Sequence, residues 1–165
     1  MPNQYLVTLP LVEMPIGTEY PSGNLLPLHC TIMQWFWEGK GFDLLELEYE
    51  LSALASRVRK APLVLESSHL DHFGSHNDIR VHVLQRNESL NLFHTELLLQ
   101  LAKMNSVPDD LRWVGAGYRA HVTVVPRGMF SPGQRYTAQQ IVLLERDESR
   151  IRKVVSAYDI RPTNS

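Results

Sequence analysis

Apolar and polar positions along the chain change period several times, and each change marks an element. YLVTLPLV (residues 5–12) is rich in β-branched and apolar residues and predicts a strand that ends in the Pro/Gly-bearing stretch MPIGTEYPSGN. LHCTIMQWF predicts a second strand, broken by EGKG at 38–41. The period then lengthens: Leu47, Leu51, Leu54, Ala55 and Val58 fall on one face of a helix within FDLLELEYELSALASRVRK, which Pro62 stops. PLVLESSHL and DIRVHVLQR predict two strands joined by the turn-rich DHFGSHN. A second helix starts near Asn87 or Ser89, either able to cap it, and carries Leu90, Phe93, Leu97, Leu101 and Met104 on one face until Val107-Pro108. His82 and His94 read as surface positions of the sheet and of this helix. RAHVTVVP, TAQQIVLLER and KVVSAYDI complete an order of β-β-α-β-β-α-β-β-β. Strands in blocks with short hairpin connections predict an α+β fold with antiparallel sheet, rather than a doubly wound parallel one.

Length and charge narrow the setting. A chain of 165 residues, 44% hydrophobic and 21% charged, is expected to form a single domain over 1–165. The single cysteine, Cys30, can form no internal disulfide and no Cys-rich zinc site, which predicts a reducing compartment. The first basic residue is Lys40, so the N-terminus lacks the positive region of a signal peptide, and no run approaches the roughly 18 apolar residues that span a bilayer. A cytoplasmic protein with no membrane contact and no obligatory protein partner is expected. The net charge of −2 argues against gripping a long nucleic acid by its backbone. Nine of the 16 basic residues nevertheless follow position 110, which leaves room for a local anion site.

One phrase occurs twice. HCTI at His29 and HVTV at His121 both read histidine, apolar, threonine, apolar. In a strand, residues i and i+2 share a face, so His29 with Thr31, and His121 with Thr123, present two polar groups on a rigid support. Cys30, Ile32, Val122 and Val124 point the other way. A lone His-x-Thr on a strand is ordinarily structural. With seven His and seven Thr in 165 residues about 0.3 such pairs arise by chance, so two are suggestive, and their apolar flanks and placement in separate halves of the chain make coincidence less attractive.

In these two motifs, LHCTI and AHVTV, the sequence resembles the two-histidine phosphoesterase superfamily, which includes the 2′-5′ RNA ligase-like proteins and cyclic nucleotide phosphodiesterases. VLESSHLDHFGSHNDIRVHVL resembles the family's hairpin and IVLLERDESRIRKVVSAYDI its final strand pair, whereas Glu13–Asn24 carries no part of the resemblance. The resemblance implies an α+β fold of two pseudo-symmetric lobes of antiparallel sheet, with outer helices around a central cleft. It implies a cofactor-free and metal-independent enzyme that opens a 2′,3′-cyclic phosphate or a 2′-5′ linkage in a nucleotide or short RNA. His29 and His121 would serve as acid and base and Thr31 and Thr123 as donors to the phosphate. The residue types agree, because an imidazole can be neutral or charged near neutral pH. Arg119, two residues before His121, shares its face and could hold the phosphate. Trp35, on the face of His29 and Thr31, and Tyr118, Phe130 and Tyr136, which flank the second motif, could stack on a base. Two other readings stand beside this one: a nucleotide-binding module with the same cleft, and a metal-dependent hydrolase built on His69, Asp71, His72, His76 and Asp78 of HLDHFGSHND.

Overall fold

The computed structural model describes residues 2–125 and 130–163. Among the described residues nine strands form one antiparallel sheet: β1 (Gln4–Pro10), β2 (Glu19–Tyr20), β3 (His29–Trp37), β4 (Val64–Phe73), β5 (Ile79–Leu84), β6 (His121–Thr123), β7 (Arg135–Thr137), β8 (Gln140–Arg146) and β9 (Arg152–Asp159). Their order across the sheet is β2-β9-β8-β1-β3-β6-β5-β4-β7. The predicted antiparallel α+β class is the observed one. The last predicted residue of RAHVTVVP, Pro126, lies outside the described residues.

Two helices cover one face. Helix α1 (Leu44–Val58) starts at Asp43, whose carboxylate accepts from the backbone N–H groups of Leu45 and Glu46. Helix α2 (Glu88–Lys103) starts at Asn87, which accepts from Leu90 N–H at 3.0 Å. Leu47, Leu51 and Leu54 of α1, and Leu90, Phe93, Leu97 and Leu101 of α2, pack on Tyr5, Val7, Leu9, Cys30, Ile32, Val122, Ile141 and Leu143 of the sheet. This is the main core. Its apolar stripes are the ones whose period made both helices legible.

The opposite sheet face is organised differently. On one side of it Leu6, Met14, Leu26, Val142, Leu144 and Val154 form a second apolar cluster, against which Trp35 packs. On the other side Phe73, Val81 and Val83 form a third. Between the two clusters runs the seam of the sheet, where β3 meets β6 through the single register pair Cys30↔Val122. Strands β2, β9, β8, β1 and β3 make one lobe and β6, β5, β4 and β7 the other.

Residues 13–28 act as a strap over the first lobe. Met14 and Leu26 are buried in its apolar cluster. Gly17 N–H donates to Val154 O, Val154 N–H donates to Thr18 O, and β2 pairs with β9. Leu11 N–H donates to Leu28 O at 2.8 Å and closes the base of the loop.

Two expectations about histidine are corrected here. His82 is 6% exposed because β5 turns it toward the core, where its ring meets Ser67 Oγ at 3.2 Å and lies edge-on to Phe130. His94 is 1% exposed, on the inner face of α2. Strand β4 also runs further than PLVLESSHL, through Phe73, because its pairing with β5 continues to Phe73↔Ile79.

Candidate active site

The register at the seam brings the two motifs together. Extending Cys30↔Val122 by one residue in each direction sets His29 opposite Thr123 and Thr31 opposite His121, all four on the face away from the helices. Residues directly opposite in an antiparallel pair have Cβ atoms about 4.5–5.5 Å apart. Each histidine thus sits beside its own threonine along the strand and faces the other motif's threonine across it.

The two imidazoles are held alike. His29 Nδ1 lies 2.7 Å from Pro27 O, and His121 Nδ1 lies 2.8 Å from Arg119 O. A carbonyl can only accept, so in both rings Nδ1 carries the proton and donates it. That leaves Nε2 of each neutral ring as an acceptor that bonds none of the described residues. Burial holds both rings below the ordinary histidine pKa, and the two carbonyls offset this in part. Positive charge adds to the lowering, from His121 and Arg152 at His29 and from Arg119 at His121.

A cavity of about 410 Å³ opens over the seam, lined by His29, Thr31, Trp35, Tyr118, Arg119 and His121 among others. Six of the eight predicted site residues therefore share one cavity. Thr123, half-buried, does not line it. Phe130 is 6% exposed in the main core against His82, so it faces away from the cleft and is withdrawn as a stacking residue. Tyr136 likewise packs against the main core rather than into this cavity.

Each cleft residue has a specific support. Arg119 Nη2 is 3.3 Å from Asp71 Oδ2, and its guanidinium lies 4.8 Å from the Phe73 ring centroid. The Phe73 ring is edge-on to His121 at 4.8 Å and stacked with Trp113 at 5.6 Å. Trp35 carries the Arg146 guanidinium on its ring at 4.0 Å. Tyr118 donates its O–H to Thr31 O at 2.8 Å and stacks on His94 at 3.9 Å.

His94 is the residue that sequence reasoning missed. Its Nδ1–H donates to Ile32 O at 2.7 Å, and its Nε2 accepts from Gly115 N–H at 2.9 Å. It ties β3 to the short 3₁₀ turns at Leu111–Trp113 and Gly115–Gly117, which carry Trp113 and lead to Tyr118. Burial favours the neutral ring. The signal that could have found it is its helical register with Leu90, Leu97 and Leu101.

The residues of HLDHFGSHND are dispersed. Asp71 pairs with Arg119, and His69 Nδ1 meets Ser68 Oγ. Among the described residues no three His, Cys, Asp or Glu side chains gather in a metal-binding group, and no helix is long and apolar enough to cross a membrane.

No protein-family model and no curated protein matches the sequence. Solved structures do match the fold. E. coli LigT complexed with 3′-AMP has a TM-score of 0.58 and 16% identity, over 97% of this chain and 99% of that one. E. coli LigT complexed with NADP+ gives 0.56 and 16%, over 97% and 98%. A further crystal structure, of a phosphoesterase, gives 0.57 and 15%, over 98% and 99%. The chain has, over nearly its whole length, the fold of LigT, which is the fold its two histidine–threonine strands lead one to expect.

Proposed function

We propose that the protein, acting as one two-lobed unit over 1–165, is a cytoplasmic phosphoesterase that opens a 2′,3′-cyclic phosphate or a 2′-5′ phosphodiester in a nucleotide or short oligonucleotide, without a metal or cofactor. The observation that carries this reading is the matched pair of imidazoles, each with Nδ1–H tied to a backbone carbonyl, on one cavity with Thr31. One neutral ring takes a proton from water through Nε2 as the water attacks phosphorus. The other ring, charged, gives its Nε2 proton to the departing ribose oxygen. The Thr31 and Thr123 hydroxyls donate to the non-bridging oxygens, where charge grows in the transition state. Arg119 meets the phosphate, and Trp35, backed by Arg146, offers its ring to a base. The 3′-AMP, ATP and NADP+ complexes of LigT support a nucleotide as the ligand class.

Cyclic mononucleotides, cyclic-phosphate-ended RNA and 2′-5′-linked oligoadenylates, each incubated with the protein and read by mass spectrometry, test the reading. Conversion of at least one, unaffected by EDTA, is expected. Tight binding without conversion of any would make the chain a nucleotide-binding module, and loss of turnover with EDTA would make it a metal-dependent hydrolase.

The substrate is expected to be short. The chain is slightly acidic overall, and one or two phosphate contacts give a salt slope of magnitude no more than about 1.5, at about 0.7 per phosphate on single strands. Titrating a cyclic-phosphate-ended RNA of some 20 nucleotides and its terminal dinucleotide across salt checks this. A steep slope with far tighter binding of the long RNA would sink it.

A further inference from the structure

The strap over the first lobe leads directly into His29 and is fastened by a residue far away in sequence. Arg152, on β9, donates through Nη2 to Pro21 O at 2.7 Å and also to Asn24 O. These carbonyls are the first and last of a four-residue turn, closed by Asn24 N–H to Pro21 O, in which Gly23 takes φ 84°. Three residues after Asn24, the same segment presents Pro27 O to His29 Nδ1. Leu26, between them, is buried in the first lobe's apolar cluster and lines the cavity. Among the described residues Arg152 makes no ion pair, and its Nε is buried without a hydrogen-bond partner. An arginine kept in that state is held for what its other nitrogens do, since an unmatched buried donor costs about 1–3 kcal/mol.

We infer that Arg152 is a positioning residue for His29: by clamping the turn at Pro21–Asn24 it fixes the Pro27 carbonyl that holds the His29 ring in its Nδ1–H tautomer, with Nε2 in the cavity. The inference rests on the phosphoesterase reading for its kinetic consequence alone, because the tautomer is a property of the free protein. His121 provides a control within the same molecule. Its carbonyl partner belongs to Arg119, which is steadied by Asp71 and Phe73 on the other lobe rather than by Arg152. The strap contains the segment Glu13–Asn24, so Arg152 gives that segment a role in the site.

Nitrogen-15 NMR of the labelled protein, at a pH where both rings are neutral, separates the Nδ1–H tautomer from the Nε2–H tautomer. Both histidines are expected in the Nδ1–H form in the wild-type protein. In Arg152→Met, His29 is expected to relax to a mixture of tautomers while His121 stays fixed, and Arg152→Lys, which keeps a charged donor, should restore part of the Nδ1–H form. Gly23→Val disturbs the turn from its other side, at an exposed position with open space around it, and is expected to release His29 in the same way. The kinetic counterpart is a fall in kcat of about 10- to 100-fold with KM changed less than about 3-fold, as for a misaligned catalytic group. A His29 that keeps its tautomer in both variants overturns the inference. So does simultaneous loss at His29 and His121, which would make Arg152 a residue of general stability. A wild-type protein that converts no phosphoester would remove the proposed activity and leave the tautomer result standing.

Discussion

At His29 and His121 the main chain determines which nitrogen carries the proton, and this fixes what each substitution removes. His29→Ala and His121→Ala are each expected to lower turnover by about 100-fold or more while circular dichroism stays unchanged, the usual scale for a lost acid or base. Retention of near wild-type turnover by either would end the two-histidine mechanism. Thr31 lines the cavity and Thr123 does not, so Thr31→Ala is expected to cost about 10- to 100-fold and Thr123→Ala less, measured side by side as kcat/KM. Because burial depresses both imidazoles, kcat/KM should follow a bell in pH with its maximum on the acid side of about 6.5, the ordinary histidine value. A maximum above pH 7.5 would contradict the buried, carbonyl-bound rings. These four residues were legible in the sequence because a strand's two-residue period fixes which side chains share a face. His82 and His94 were not, because polarity does not report burial when Ser67 Oγ, Ile32 O and Gly115 N–H satisfy the ring from within.

Strand β3 shows how an element can be read correctly by a route that is only partly right. Simple alternation puts Trp35 on the face of His29, and the cavity does include it. Yet the pairing of β1 with β3 slips twice, between Tyr5/Val7 and between Val7/Thr8, so β3 carries two extra residues. Ile32 and Met33 both go to the core, Gln34 and Trp35 both line the cleft, and the second slip undoes the first. Two strands were missed altogether: β2 has two residues and β7 three, too few for any period to show. The turns before β6 were also silent, although they govern the cleft wall. A Cβ at Gly117 would lie 2.1 Å from Arg112 O. Gly117→Ala is therefore expected to displace the segment that carries Trp113 and Tyr118, seen as a lower Tm and a changed tryptophan emission. His94→Leu removes the partner of both Ile32 O and Gly115 N–H, and urea unfolding should register a loss of about 2–4 kcal/mol.

Across the whole molecule the sequence disclosed the class, α+β and antiparallel, through the periods of its longer elements. It could not disclose which strands are neighbours, because β1 pairs with β8 by contacts that no local pattern records. The stability of the whole fold should depend on its histidines together. His29, His82, His94 and His121 all favour the neutral form in the native state. Below about pH 6.5 the unfolded chain binds protons that the native rings resist, so stability is flat above that value, falls as the pH drops toward the depressed native values, and levels off below them. Asp110 and Asp159, held at about 2 by hydrogen bonds from Arg112 and Arg161, contribute above about pH 4 and lose their contribution only below it. Melting temperatures from pH 8 to 3 should show the two windows separately. The strand order also has a consequence for synthesis on the ribosome. The second lobe is built from one continuous stretch, β4 to β7, and can assemble as soon as it emerges. The first lobe joins β1 to β8 and β9, so β1, buried along its whole length in the finished fold, must wait beside β3 with one edge unpaired until β8 has been made. A nascent chain of this kind needs the apolar β1 shielded until β8 arrives, and a message cut short before residue 140 would release a product with an open, aggregation-prone edge and an unfastened His29.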